Sequence, residues 1–346
     1  MTMMPAISTT ALPDAVRNAW HIAALSRQVR RGKVRRVVVC GTPIALFRND
    51  DGVGALVDRC PHRNYPLSAG RVHQGGLECP YHGWRFARDG ACVAIPGCTL
   101  GAEQASRLAA QAVRVCERHG AIFVALSDTA PAEPPLPPTL ARADCDHFWW
   151  QQGTWKGRAF DAVENVMDPF HTSHLHHGFI RHRERRLPVS LEVASDGPTI
   201  TMTNVQTQPD VGLMSRFLER ERTHSASRYF PPTLVEARWE SKRGLTLCVS
   251  AFFTPSSDDS FMPFARFSSP HRISPGWLKE LAIRLFLSPV IAQDRQALAR
   301  QHAVMEEFGR PQFVTGPGDI LGNRLYRLWK GEALEPGADV PVVSDL

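Results

Sequence analysis

Two short loops that each carry one cysteine and one histidine constrain this chain most. The first loop holds Cys60 and His62, and the second, after sixteen intervening residues, holds Cys79 and His82. If the fold brings these loops face to face, they supply two thiolates and two imidazoles. A [2Fe–2S] cluster with two cysteines on one iron and two histidines on the other needs this donor set. The pattern therefore predicts such a cluster, bound by these four residues.

Structural zinc and coincidence are the two alternatives for these loops. Zinc sites commonly pair their ligands as Cys-x₂₋₄-Cys and His-x₃₋₅-His, whereas here each loop combines one Cys with one His. The remaining cysteines are too sparse for a disulfide scaffold, and we interpret them as small core residues. They are Cys40, Cys92, Cys98, Cys116, Cys145 and Cys248.

A proline-rich segment divides the chain. Residues 131–138 contain five prolines, which favour an extended connector because proline lacks a backbone donor. Short β-rich runs separated by turns precede it, which indicates a small all-β domain. We therefore predict an all-β domain over 14–128, a linker over 129–139 and a second domain over 140–346.

The second domain combines both types of secondary structure. The pattern predicts a helix over 161–177, strands over 187–270 and a late helix over 289–308. The late helix is predicted to start at Ser288-Pro289 and to stop at Gly309, since proline favours the first helical position and glycine follows helix ends.

A second group of polar residues follows the linker. Asp168 and His171 share one face of the predicted helix with Glu164, and Pro169 allows a bend that brings His176 to the same point. Two histidines and one carboxylate on one face of an octahedron leave positions open for substrate and dioxygen at Fe(II).

The third ligand of such an iron must come from elsewhere in the chain. Asp294 interrupts a mostly apolar face of the late helix, and a cation would relieve the cost of burying its carboxylate. Glu306, Glu307 and Asp319 are poorer candidates because they lie near the helix end or in a glycine-rich loop. Asp294 could also simply lie at the edge of the apolar stripe, near the positive end of the helix.

Two other interpretations of the histidine-rich region remain open. It could be a solvated helix end, because His174, His177 and His182 follow closely. Alternatively, His182 and Glu184 fit the His-x-acid pattern of 2-oxoglutarate oxygenases, although they lie in a charge-dense run that favours a solvated loop.

Charge and missing motifs exclude several classes. Forty Lys and Arg against thirty-four Asp and Glu give a net charge of +6, but the arginines are scattered, so the charge indicates no nucleic-acid partner. The chain shows no basic leader, no apolar run of roughly 18 residues and no dinucleotide or phosphate-binding fingerprint. We therefore predict a cytoplasmic protein without a membrane partner, which takes its electrons from a separate reductase rather than directly from NAD(P)H.

Nearly the whole chain resembles the Rieske non-haem iron oxygenases. The resemblance is carried by Arg59-Cys-Pro-His-Arg63, by Cys79-Pro-Tyr-His-Gly-Trp84 and by the pattern Asn-x₂-Asp-x₂-His-x₄-His over residues 165–176. It implies an α+β protein with an N-terminal Rieske domain and a catalytic domain that has a curved antiparallel sheet and helices in a helix-grip arrangement.

The resemblance also implies roles for individual residues. Iron is held by His171, His176 and Asp294, while Asp168 is the carboxylate that bridges an iron ligand to a Rieske histidine of a neighbouring subunit. Asn165 joins Asp168 as a catalytic residue. Head-to-tail homotrimers would place the cluster of one subunit beside the iron of the next.

The length resembles that of the homotrimeric demethylase and monooxygenase branch. The resemblance therefore implies that electrons pass from a reductase or ferredoxin through the cluster to the iron, where O2 is used to hydroxylate or demethylate a small aromatic substrate. The many arginines weakly favour an anionic substrate. Ring cis-dihydroxylation is the alternative reaction, and a non-catalytic Rieske electron carrier is the alternative class of protein. The apolar residues that the sequence offers for a pocket are each more typical of core than of a substrate wall: Met202, Met214, Phe217, Leu218, Phe252, Phe261, Phe264 and Phe286.

Overall fold

The computed structural model describes residues 11–181, 184, 188–206, 222–272, 274–309 and 311–345. His182 of the alternative triad and the pocket candidates Met214, Phe217 and Leu218 lie outside these residues. The described residues form two compact units, one over Arg17–Leu136 and the other over the described part of 137–345 together with residues 11–16. None of the helices in the described part of the chain has the length and hydropathy that a membrane span requires.

Short antiparallel sheets build the unit over Arg17–Leu136. Its elements, with the helix that leads into it, are α1 (Asp14–Arg17), β1 (Trp20–Leu25), β2 (Val34–Val39), β3 (Thr42–Asn49), β4 (Gly52–Val57), β5 (Arg71–His73), β6 (Gly76–Glu78), β7 (Arg85–Phe86), β8 (Cys92–Ala94), α2 (Ala102–Arg107), β9 (Arg114–Arg118) and β10 (Ala121–Ala125). The strands pair in the orders β1-β10-β9, β2-β3-β4 and β5-β6-β7-β8. The predicted turn at Asn49–Gly52 joins β3 to β4, and Gly52 has φ +120°, which suits glycine.

The two Cys/His loops lie over a continuous apolar core. Cys60 and Cys79 are buried with Phe47, Leu67 and Phe86, and other apolar side chains pack around this group. Of the cysteines interpreted as core residues, Cys40, Cys92, Cys145 and Cys248 are buried and Cys116 is half-buried. The interpretation is wrong for Cys98, which is exposed in the turn that follows β8.

One large antiparallel sheet dominates the second unit. Its elements are β11 (Cys145–Gln151), β12 (Trp155–Lys156), α3 (Ala159–Met167), β13 (Pro188–Ser195), β14 (Ile200–Gln206), β15 (Arg222–Phe230), β16 (Leu234–Ser241), β17 (Gly244–Ser257), β18 (Ser260–Pro270), α4 (Gly276–Glu307), α5 (Gly322–Trp329), β19 (Gly337–Ala338) and β20 (Val342–Asp345). The strand order is β11-β18-β17-β16-β15-β14-β13-β19, with β12 paired to β18 and β20 to β13. Together with the all-β first unit, this arrangement confirms the predicted α+β fold.

The predicted start of the late helix is wrong. The helix α4 begins at Gly276, so Pro289 lies in its interior, although its end at Glu307 agrees with the stop signal at Gly309. An interior proline removes one backbone hydrogen bond, but this cost is tolerated within a long helix that packs against β11 and β12. Ser288 Oγ donates to the carbonyl of Arg284, one turn earlier, at 2.6 Å.

The predicted helix over 161–177 is also shorter than expected. The helix α3 ends at Met167, and Asp168 has extended dihedral angles (φ −81°, ψ 121°). The residue before a proline is disfavoured in the helical region, so Asp168 leaves the helical conformation and α3 ends two residues before Pro169. A single 3₁₀ turn over Phe170–Ser173 follows. His171 therefore reaches the site from this turn and not from the helix.

Candidate metal centres

Backbone hydrogen bonds shape both Cys/His loops. In the first loop, the amide of Cys60 donates to the carbonyl of Tyr65 (2.8 Å). In the second, the amide of Cys79 donates to Trp84 O (2.8 Å) and that of Gly83 to Cys79 O (3.0 Å). Gly83 has φ +71°, and a Cβ atom there would lie 2.7 Å from Pro96 Cγ, so this turn requires glycine.

The four predicted cluster ligands lie together at the loop tips. Cys60 and Cys79 are each only 2% exposed, and neither forms a disulfide. The imidazole rings of His62 and His82 lie 4.5 Å apart, and His62 stacks on Trp84 at 4.6 Å. Burial raises the pKa of the Cys60 thiol to about 11, and the adjacent Cys79 thiol adds to this effect.

This donor set fits a Rieske [2Fe–2S] cluster. Two buried, adjacent thiols without a disulfide are costly to ionise unless a metal binds the thiolates. The imidazoles provide two nitrogen donors beside them, and desolvation and the nearby His82 lower the pKa of His62, which favours a neutral ligand. The arrangement supplies two sulfur and two nitrogen donors from two loops, as the sequence predicts.

A second donor set converges in the other unit. One ligand atom each of His171, His176 and Asp294 lies within 4.8 Å of the others. His176 Nε2 is 3.1 Å and His171 Nε2 is 3.9 Å from Asp294 Oδ1. The two rings lie 5.1 Å apart at 79°. Two imidazoles and a carboxylate around one point form a donor set that suits non-haem Fe(II).

Neighbouring polar groups orient two of these three side chains. Asn165 Nδ2 donates to Asp294 Oδ1 (3.1 Å), and His176 Nδ1 lies 2.9 Å from Gln293 Oε1. Burial lowers the pKa of His176, but its hydrogen bonds with Asp294 and Gln293 outweigh burial and raise it. A ligand histidine whose other nitrogen is held by a hydrogen bond is typical of metal sites.

Asp168 lies beside the donor set. Its Oδ2 is 3.6 Å from His171 Nδ1, and its Oδ1 accepts the amide of Phe170 at 2.8 Å. The side chain is 39% exposed, so the carboxylate can contact a further group while it lies next to His171. The less favoured candidates lie elsewhere: Glu306 near His302, and Asp319 in a neighbouring cavity.

A cavity of ≈ 300 Å³ opens beside the His171/His176/Asp294 group. Its wall is mostly apolar and includes six aromatic side chains, namely Trp150, Trp155, Trp239, Phe253, Phe264 and Phe267. Three polar side chains also line the cavity: Asn204 of β14, and Ser225 and Ser227 of β15. Asn204 is paired with Ser225 across the two strands. Of the pocket candidates in the described residues, Met202 and Phe264 line the cavity, whereas Phe252, Phe261 and Phe286 are not part of its wall.

A further acid of α3, the half-buried Glu164, lies near this centre. Glu164 lines a second cavity of ≈ 270 Å³ together with Asp168 and Asp319. Burial, with the charge of Asp161 as a smaller contribution, raises the pKa of Glu164 to about 7. Glu164 therefore titrates near neutral pH, close to the metal centre.

Sequence reasoning missed several residues around this centre. The sequence indicates the contact of Gln293 with His176 only weakly, through the position of Gln293 directly before Asp294 in the same helix. The sequence indicates Asn204, Ser225 and Ser227 only through the alternation of side chains along their strands. This alternation places polar groups on one face of the sheet.

Comparison with known proteins supports both centres. The family model "Rieske [2Fe-2S] domain" matches residues 19–109, and the model "Vanillate O-demethylase oxygenase C-terminal domain" matches residues 160–331. The chain belongs to the Rieske non-haem iron oxygenases, a family that carries a [2Fe–2S] cluster and a mononuclear iron. Within this family it is related to the oxygenase subunits of aromatic O-demethylases.

Individual relatives show how far the likeness extends. The vanillate O-demethylase oxygenase subunit of Pseudomonas sp. (strain HR199 / DSM 7063) is 30% identical over 82% of this chain and 85% of its own length. The oxygenase component of dicamba O-demethylase from Stenotrophomonas maltophilia is 44% identical over 46% of this chain and 48% of that protein. Several curated relatives are matched over only about half of their own length or less.

Solved structures share the fold over most of the chain. Dicamba monooxygenase bound to dicamba is 25% identical with a TM-score of 0.76, covering 91% of this chain and 97% of that one. NdmA of Pseudomonas putida CBB5 with caffeine is 16% identical, also with a TM-score of 0.76, over 96% of this chain and 97% of that one. This second likeness concerns the fold alone.

Proposed function

We propose that this chain is the terminal oxygenase component of a multicomponent monooxygenase, which hydroxylates or O- or N-demethylates a small, anionic aromatic compound. The observation that carries the proposal is the convergence of His171, His176 and Asp294 beside an aromatic-lined cavity, in a chain that also has a Cys₂His₂ pair of loops. An electron carrier alone would need the loops but not this second donor set.

We assign the metal ligands as the sequence predicts. Cys60, Cys79, His62 and His82 hold the [2Fe–2S] cluster, and His171, His176 and Asp294 hold Fe(II). The iron, when bound, supplies the O2-dependent oxidation chemistry. The protein holds the ligands in place, because Asn165 donates to Asp294 and Gln293 contacts the far nitrogen of His176.

Asp168 is assigned as the link between the two kinds of centre. One of its oxygens lies 3.6 Å from the His171 imidazole, and the side chain is 39% exposed, so it can accept a hydrogen bond from a second imidazole. In the homotrimer that we propose, this second imidazole is a Rieske histidine of a neighbouring copy. A separate reductase or ferredoxin supplies the electrons to the cluster.

The cavity supports a substrate with a single ring and an anionic group. Its volume lies at the lower end of ligand pockets, which range over roughly 300–1,000 Å³, and its wall is largely apolar and includes Trp and Phe side chains. Arg181 also lines the cavity and is only 6% exposed, so a substrate carboxylate would be attracted by its charge. Asn204 offers an amide, and its Oδ1 atom makes no hydrogen bond with the residues that the structure describes.

A substrate screen tests this proposal. The oxygenase, supplied with a reductase, NADH and O2, is given methoxylated, N-methylated and unmethylated aromatic carboxylates, together with their uncharged amides. We expect substrate-dependent O2 consumption with the acids and, for methylated compounds, one formaldehyde per O2. A cis-diol product would indicate the dihydroxylase alternative, while equal turnover of acids and amides would contradict the anionic assignment.

Iron analysis separates the oxygenase from the electron carrier. We expect three irons per chain, two in the cluster and one mononuclear, whereas a carrier would hold two. The cytoplasmic location and the expected absence of nucleic-acid and membrane partners stay predictions.

A further inference from the structure

A second group of metal-ligating side chains lies on α4, away from the iron ligands. His302 and Glu306 are one helical turn apart, with His302 Nε2 3.3 Å from Glu306 Oε1. Asp259, in the turn between β17 and β18, completes the group, and the three ligand atoms lie within 4.8 Å of one another. We propose that these three residues bind a divalent transition-metal cation of the Zn²⁺ type, at a site separate from the iron.

The buried imidazole of His302 is the observation that points to a ligand. Its side chain is 7% exposed, and neither ring nitrogen makes a hydrogen bond within the described residues. A buried polar group without a hydrogen bond is costly, and buried imidazoles usually make one. Because Nε2 is directed toward Glu306, a cation between the two side chains would satisfy the imidazole and gain a carboxylate ligand at the same time.

The side chains need only small movements to close around an ion. Zinc–nitrogen and zinc–oxygen bonds are about 2.0–2.2 Å, so ligand atoms around one zinc lie about 3–4 Å apart. Glu306 is 59% exposed, and its rotation is not restricted by a packed core. One nitrogen and two carboxylate oxygens suit borderline cations such as Zn²⁺, with water at the fourth position.

Lys156 is the competing cation. Its Nζ donates to Asp259 Oδ2 at 3.0 Å, while the other carboxylate oxygen of Asp259 accepts the hydroxyl of Ser257. The Lys156–Asp259 pair is exposed, with side chains 65% and 43% accessible, so it stabilises the protein little and can be released. Its hydrogen bond goes to Asp259, and both ring nitrogens of His302 still make no hydrogen bond within the described residues.

The site would connect two parts of the catalytic unit. It joins the β17–β18 turn to α4, the helix that also carries Asp294. Asp294 precedes His302 by eight residues, about 12 Å along the helix axis, so the two sites are distinct. A bound cation would therefore hold the C-terminal half of α4 against the sheet without contacting the iron ligands.

Zinc titration of the purified oxygenase, with its cluster and iron in place, tests the proposal. Free Zn²⁺ is set with a fluorescent competitor, and zinc and iron per chain are counted in the same samples. We expect the wild type to bind one zinc more than Glu306→Gln or His302→Gln, with at least a tenfold loss of affinity in each variant. An anomalous-scattering peak between the three side chains would locate the ion.

Glu307→Gln is the matched control, because it removes the same charge from the next, exposed residue of α4. It should bind zinc as the wild type does. Zinc that replaces the mononuclear iron would appear as iron loss in every variant alike, and is thereby recognised. The proposal is overturned if Glu306→Gln, a surface change that does not threaten folding, binds zinc with the wild-type stoichiometry and affinity.

Discussion

The two metal centres are built in different ways. The four proposed cluster ligands come from residues 60–82, where short hairpins and backbone hydrogen bonds set the geometry. The proposed iron site combines His171 and His176, in the chain that follows α3, with Asp294 from α4, more than a hundred residues later. The first centre is therefore largely local in sequence, and the second depends on how a helix packs against a sheet.

This difference has a physical consequence. A local site tolerates changes elsewhere, since its loops are held by their own turns and by a small core. A site assembled from distant elements depends on a network, here the contacts of Asn165 and Gln293, which orient a carboxylate and an imidazole from different elements. The iron centre should consequently be the more easily disturbed of the two, and the changes below test this expectation.

Removal of the distant ligand should have the largest effect. In Asp294→Ala we expect the iron content to fall from three to two per chain and turnover to fall by at least about a hundredfold, because two imidazoles alone bind iron weakly. The visible spectrum of the [2Fe–2S] cluster should be unchanged. Loss of the cluster signal in this variant would show that the two centres do not assemble independently. Cys79→Ser is the reciprocal control, and should lose the cluster but retain mononuclear iron.

The same contrast explains how much the sequence could predict. The Cys60/His62 and Cys79/His82 loops are readable because donor type and spacing lie within one short stretch. The proximity of Asp294 to the two histidines can also be predicted, since a carboxylate on an apolar helix face stands out. The start of α4 could not be predicted, because Pro289 resembles a first-turn proline. Only the folded structure shows that the helix begins at Gly276. Asn204 and Ser225 become neighbours only through strand register, which the sequence alone does not determine.

Asp168→Asn should separate electron transfer from metal binding. The amide keeps the shape of the side chain and can still accept the Phe170 amide hydrogen bond. We therefore expect three irons per chain and a normal cluster spectrum, but turnover lower by about a hundredfold, because the charge that lies beside His171 is lost. Single-turnover reduction of the iron by the pre-reduced cluster measures this step directly. Asp128→Asn, on the exposed surface of the other unit, should behave as the wild type, and full activity of Asp168→Asn would remove the link from the mechanism.

Glu164 should make stability depend on pH near the iron centre. Its pKa is raised from 4.5 to about 7 in the folded chain, so between these values the folded state holds a proton that the unfolded state has lost. Stability should therefore fall as pH rises from about 4.5 to about 7, and then level off. Glu164→Gln should remove this slope, and relative to the wild type should gain about 2–3 kcal/mol in the free energy of unfolding between pH 4.5 and 7.5.

Urea unfolding at several pH values measures this difference. Glu192→Gln, an exposed position on β13, is the matched control and should leave the pH dependence unchanged. If the free energy of unfolding of Glu164→Gln fell with pH as steeply as that of the wild type, the pH dependence would come from other groups. The absorbance of the [2Fe–2S] cluster should be the same in Glu164→Gln and Glu192→Gln. A change at the distant iron site should therefore leave the local cluster site unaffected.

Two glycines in the cluster unit give the smallest and most direct test of local control. Gly83 and Gly97 have similar backbone angles, φ +71° and +74°, so an alanine at either position meets the same conformational cost of about 1–2 kcal/mol. A Cβ atom at Gly83 would also lie 2.7 Å from Pro96 Cγ, whereas at Gly97 nothing lies within 4 Å. Gly83→Ala should therefore destabilise the unit by about 1 kcal/mol more than Gly97→Ala, and should lower cluster occupancy without changing mononuclear iron. Equal effects of the two substitutions on thermal unfolding and cluster absorbance would mean that the turn adjusts around Pro96, and that the cluster loop is less rigid than its hydrogen bonds indicate.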